Sequence, residues 1–176
     1  GASISYQVNP NNATTDAYVL YGTSASALDS NLNYNSGINT TTTLNENFTG
    51  LLPATQYFYR IVATNGSGTT QSVIGNFTTL TPTPTIGTPT VVTSIDRADI
   101  SFPLTTNAAS ASYVVNYGTN ASNLNLTATG STSTASSTVL VRLAGLTENT
   151  TYFYRISATN TGGTTTVPST GTNSFV

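Results

Sequence analysis

The stretch Leu51-Leu52-Pro53-Ala54-Thr55-Gln56-Tyr57-Phe58-Tyr59-Arg60-Ile61-Val62-Ala63-Thr64-Asn65 returns 95 residues later as Leu146-Thr147-Glu148-Asn149-Thr150-Thr151-Tyr152-Phe153-Tyr154-Arg155-Ile156-Ser157-Ala158-Thr159-Asn160. Within each copy Tyr, Tyr, Ile and Ala alternate with Phe, Arg and Val or Ser, the period-two pattern of a strand that buries one face. Working outward, Tyr21-Gly22-Thr23 pairs with Tyr117-Gly118-Thr119, and Ala2-Ser3-Ile4-Ser5-Tyr6 with Ala98-Asp99-Ile100-Ser101-Phe102, both at a spacing of 96. A chain of 176 residues with a repeat of this length holds two domains, each with one small core.

Further short alternating segments are separated by Gly, Asn, Pro and Ser, which reads as an all-β sandwich. Tyr113, Val115 and Tyr117 fall on one face, and Val139, Val141 and Leu143 form another inward row. The matching row in the first copy is Leu44, Glu46 and Phe48, where Glu46 breaks the apolar pattern. Between the copies runs Thr-Leu-Thr-Pro-Thr-Pro-Thr-Ile-Gly-Thr-Pro-Thr over residues 79–90, in which Pro removes backbone donors and favours extended chain. The expected division is a domain over 1–80, a Pro/Thr connector over 81–85 and a domain over 86–176.

The phrase L-x-P-x-T-x-Y-x-Y-R-[IV]-x-A-x-N resembles strands E to F of a fibronectin type III domain, and Tyr113-x-Val115-x-Tyr117-Gly118 resembles its strand C. The resemblance implies two tandem immunoglobulin-like sandwiches with tyrosine corners at Tyr57 and Tyr152, whose hydroxyls bond backbone a few residues upstream. The second copy has Glu148 where the first has Pro53, and Tyr6 and Phe102 stand where the family usually carries a strand-B Trp.

Composition narrows the function classes. Charged residues make up 6% of the chain, with four Arg, no Lys, no His and no Cys, and a formal charge of -2. Phosphate neutralisation needs clustered cations, so a nucleic-acid footprint is excluded. No apolar run of membrane-spanning length is present. Without His, Cys or Lys most catalytic constellations are closed, and no cofactor is expected. The nearest carboxylates, Asp96 and Asp99, have opposite strand parity and read as solvated charges. Acid unfolding works largely by protonating paired carboxylates, and with only six Asp and Glu little stability depends on ionisation. This points to an exposed surface protein of an acidic habitat.

Eight N-x-[ST] sequons, at Asn12, Asn39, Asn47, Asn65, Asn76, Asn120, Asn125 and Asn149, are candidates for covalent N-glycans. They are permissive rather than diagnostic, because 19 Asn among 58 Ser and Thr generate about six by composition alone. Asn65, ahead of Gly66, reads equally as a turn residue. A candidate contact face lies on the outward side of the sheet in the first copy, where Tyr18, Leu20, Phe58 and Val62 surround Arg60.

The two copies differ at their starts. In the second, Thr88 to Ile95 is expected as strand A, paired with a strand B over Ala98 to Leu104. In the first, strand B opens the sequence, and Ile4, Tyr6 and Val8 become an acceptor edge with no strand A beside it. Leaving two or three inward side chains uncovered forfeits roughly 3 to 9 kcal/mol, against a domain stability of about 5 to 15 kcal/mol. The missing strand comes from upstream in a longer protein or from a neighbouring subunit by strand addition, as in donor-strand complementation. The leading expectation is an extracellular filament or pilus subunit, resembling the Thr/Ser/Asn-rich threads of acidophilic archaea, that partners copies of itself or a neighbouring surface protein. The alternative is an adhesive or spacer module pair from a larger secreted or surface protein.

Overall fold

A computed structural model describes residues 1–176, which form strands and turns with no helix. The chain divides into two compact units, Gly1–Leu80 and Thr81–Val176. Each is a fibronectin-type-III-like β-sandwich.

The second unit is the complete one. One sheet holds β8 (Thr85–Ile86), β9 (Thr90–Ser94), β10 (Arg97–Thr105) and β13 (Ser136–Ala144), with β10 in the middle. The other holds β11 (Ala111–Gly118), β12 (Leu126–Thr132), β14 (Tyr152–Asn160), β15 (Gly163–Val167) and β16 (Asn173–Phe175), with β14 flanked by β11 and β15/β16. Every ladder is antiparallel. The inward rows read from the sequence meet between the sheets: Ile100, Phe102, Leu104, Val115, Val139, Val141, Leu143, Tyr154, Ile156 and Ala158 form one contiguous core.

Strand A differs from the single segment expected over 88–95. It is split into β8, which pairs Ile86 with Leu104, and β9, which pairs Val91 with Ile100. Between them Gly87 lies so close to Pro103 that a Cβ there would stand 2.9 Å from the proline ring, while its N–H donates to the Pro103 carbonyl at 2.8 Å. Residues 81–85, expected as a connector, are built into this unit, and Pro84 is buried.

The first unit repeats this plan without strand A. Its strands are β1 (Ala2–Val8), β2 (Thr15–Gly22), β3 (Ser30–Ile38), β4 (Thr42–Phe48), β5 (Gln56–Asn65), β6 (Gly68–Gln71) and β7 (Gly75–Thr78). β1 pairs only with β4, and β2, β3, β5, β6 and β7 make the opposing sheet. Phe48 fills the centre, edge-on to Tyr21 at 5.2 Å between ring centroids and 5.0 Å from Phe77.

Backbone conformations repeat as well as strands. Ala54 and Asn149 occupy equivalent turn positions in the left-handed region, at φ 48° and 49°. Asn tolerates that region and Ala is strained there. Ala54→Asn is therefore expected to stabilise the first unit by about 1 kcal/mol, visible as a higher denaturant midpoint with unchanged slope.

Candidate strand-acceptor site

β1 alternates Ile4, Tyr6 and Val8 inward with Ser3, Ser5 and Gln7 outward. In the second unit the equivalents Ile100, Phe102 and Leu104 are each 0% exposed beneath β8 and β9. In the first unit Val8 is buried, but Ile4 and Tyr6 are only half-buried. The side of β1 away from β4 presents one row of backbone N–H and C=O groups with no strand to receive them.

Beside this edge lies a polar cluster that alternation alone did not anticipate. Glu46 is 2% exposed at the position held by Val141 in the second unit. Its carboxylate accepts from the Asn35 amide at 2.7 Å and from the Asn33 amide. Those amides arrive because β3 is irregular: the β2–β3 register shifts between Thr15 and Ala17 and again between Tyr18 and Val19, with Asn33 at φ 40°. A bulge re-aims side chains in this way, whereas the corresponding β11–β12 ladder runs without a shift.

The Tyr6 hydroxyl is buried next to Glu46 and Asn35 without a well-aligned hydrogen bond. Burial, with the Glu46 charge beside it, pushes this hydroxyl up to about 12. The neutral phenol is thus favoured in the folded state. Its contribution is complete below the ordinary tyrosine value near 10 and is lost as pH rises from about 10 to 12. Tyr6→Phe installs the residue of the second unit, removes an unsatisfied hydroxyl, and is expected to raise first-unit stability by about 1 kcal/mol. It should also reduce that unit's loss between pH 10 and 12, leaving the part due to Tyr34, whose hydroxyl is likewise held up by its bond to Asp16, as read from denaturant curves at both values.

At the end of β1, Val8, Asn11, Asn65, Thr70, Ile61 and Ala63 line a groove of about 470 Å³. Asn65 belongs to the β5–β6 hairpin, donating to the Thr15 hydroxyl at 3.2 Å and accepting from the Ser67 N–H at 2.9 Å.

The tyrosine-corner geometry recurs in both units. The Leu52 N–H donates to the Tyr57 hydroxyl at 3.0 Å, and the Thr147 N–H to that of Tyr152 at 3.1 Å. The outward face of β2 and β5 carries Tyr18, Leu20, Phe58, Arg60 and Val62 together, but as a closed surface. Val62 is 1% exposed between its cross-strand neighbours Tyr18 and Gln71, and the other four are half-buried. The Arg60 guanidinium donates to the Gln71 side chain at 2.7 Å. Val62 is therefore not available to a partner, a correction to the expected contact patch.

Of the sequon residues, Asn12, Asn39, Asn47, Asn76, Asn120, Asn125 and Asn149 are exposed, and Asn65 is half-buried in the groove. Asp99 is held by Arg142 at 3.0 Å and by Arg97 at 3.5 Å on the surface, and Asp96 sits in the preceding turn. No group of three or more His, Cys, Asp or Glu converges on a possible metal site. No helix is long and apolar enough to cross a membrane.

Residues 90–175 are similar to the family described as purple acid phosphatase, N-terminal domain. Among solved structures, a crystal structure of chicken CNTN1 FN1-FN3 domains is similar at 18% identity and a TM-score of 0.39, over 92% of this chain. The chain spans 55% of that structure's length. No curated protein matches it.

Proposed function

We propose that the chain is a non-enzymatic structural subunit of an extracellular cell-surface filament or pilus, assembled head to tail by strand addition to β1. The observation that carries this reading is the pairing of β1 with β4 alone, while its equivalent β10 is also covered by β8 and β9. A heterologous contact of this kind propagates into an open polymer rather than closing a dimer. The short β16 is already paired with β14, so the incoming strand belongs to a segment outside these sheets. The Thr/Ser/Asn-rich, charge-poor surface suits the threads of acidophilic archaea, and exposed sequons leave room for glycans.

Asp16 is held below the usual carboxylate range by the Tyr34 hydroxyl and the Gly37 N–H, and Asp99 by Arg142. Their contribution is present above pH 4 and lost below it, but both lie half-buried at the surface, where such pairs contribute little. The melting temperature is accordingly expected to fall only slightly between pH 7 and pH 3; a collapse over that interval would remove the acidic habitat from the reading.

Electron microscopy across a concentration series tests assembly directly. Filaments support strand addition, and a stable monomer whose two units melt cooperatively as one sinks it. A second reading, a spacer pair within a larger secreted enzyme or adhesin, is favoured by the match of residues 90–175 to a phosphatase N-terminal domain. A further folded domain encoded directly upstream, supplying strand A in cis, would establish it over the first.

A further inference from the structure

In the second unit the residues ahead of β9 are clamped. The Asn160 amide donates to the Pro82 carbonyl at 2.8 Å, the Asn107 amide to the Thr83 carbonyl at 2.7 Å, and the Thr165 hydroxyl to the Pro84 carbonyl at 2.6 Å. Three successive carbonyls are thus taken by three side-chain donors, one following β10 and two from the β14–β15 hairpin. Pro suits this path, because at residues 82 and 84 there is no N–H to satisfy. Two residues beyond Pro84, Ile86 is buried opposite Leu104.

The first unit carries the same donors with nothing between them. Asn65, Asn11 and Thr70 stand where the second unit has Asn160, Asn107 and Thr165. Asn11 and Asn107 share a left-handed backbone, at φ 50° and 51°, and the hairpins pair alike, Asn65 with Gly68 and Asn160 with Gly163. Between these donors lies the groove of about 470 Å³.

We propose that this groove is the seat of a Thr/Pro-rich extended segment from a neighbouring subunit. Asn65, Asn11 and Thr70 grip its consecutive carbonyls, and an aliphatic residue just beyond them covers Val8. This rests on the strand-addition reading and turns it from edge pairing into sequence-selective capture. One position departs from the template. A Cβ on Gly162 would lie 2.1 Å from the Thr81 carbonyl oxygen, and Ser67, its counterpart, has that Cβ. The segment entering the first unit therefore passes further from the hairpin, and Ser67 restricts what fits there. Asn65 is also a sequon, so a glycan on its amide excludes the captured segment.

The test titrates the full chain with two synthetic peptides, one with the sequence of Thr81–Ser94 and one of Thr88–Ser94 that keeps the β9 segment but lacks both the clamp and β8, so that the side-chain variants below isolate the clamp. The long peptide is expected to bind at least tenfold more tightly, with shifts at β1 and the β5–β6 hairpin in amide spectra. Asn65→Ala and Thr70→Ala each weaken it about five- to tenfold and leave the short peptide unaffected, and Ser67→Gly tightens it. Thr70 is exposed, so Thr70→Ala carries the test if Asn65→Ala disturbs the hairpin. Equal affinities for the two peptides, insensitive to both variants, overturn the clamp while strand addition stands. Binding of neither peptide overturns both.

Discussion

Denaturation of the intact chain is expected to give two transitions, the first unit unfolding ahead of the second by about 3 to 5 kcal/mol. The gap follows from what β8 and β9 cover. Ile100 and Phe102 are fully buried in the second unit, whereas Ile4 and Tyr6 are half-buried in the first, which also has no counterpart of the buried Ile86. Fully burying such a side chain contributes about 1.5 to 3 kcal/mol, and half-burial retains part of that. Amide exchange resolved by residue separates the transitions, with protection lost first along β1 and β4. A peptide that supplies the strand should raise the lower transition and leave the upper one in place. A single coincident transition for amides of both units would refute the stability difference.

Phe48→Ala is the substitution expected to do most damage, about 3 to 5 kcal/mol. Phe48 is 1% exposed and packs against Tyr21, Tyr59 and Phe77, so truncation opens a cavity bounded by rings that cannot collapse into it. A small domain is stable by about 5 to 15 kcal/mol, and this is the unit expected to be the weaker of the two. The first unit should be largely lost on mild warming while the near-ultraviolet and amide signals of the second persist. Equal losses in both units would mean that they do not fold independently.

The sequence made the sandwich legible because inward rows such as Tyr152, Tyr154 and Ile156 follow a strict period of two, and a second copy checks each assignment. Parity identified the face of Val62 but not its coverage, which depends on cross-strand Tyr18 and Gln71. Glu46 stood out as a break in the apolar row. Its partners did not, because Asn33 and Asn35 reach it through irregular β2–β3 pairing that alternation cannot encode. The Thr/Pro stretch read as a connector since Pro disfavours ladders. Its role in the second unit depends on carbonyls held by Asn107, Asn160 and Thr165, contacts between residues far apart in the chain.

The tether between β9 and β10 has a consequence for assembly. In the second unit only Ile95 and Asp96 separate the two strands, so the covering segment is never diluted away from its seat. The same contacts made by another molecule must overcome the loss of translational and rotational freedom, about 4 kcal/mol or more. If chains join by strand addition at the first unit, assembly should therefore depend on concentration, with mean polymer length rising gradually as the chain concentration passes the dissociation constant of a single contact. A segment held in this way would leave slowly, since its release would require the edge pairing and the proposed carbonyl grips to open together.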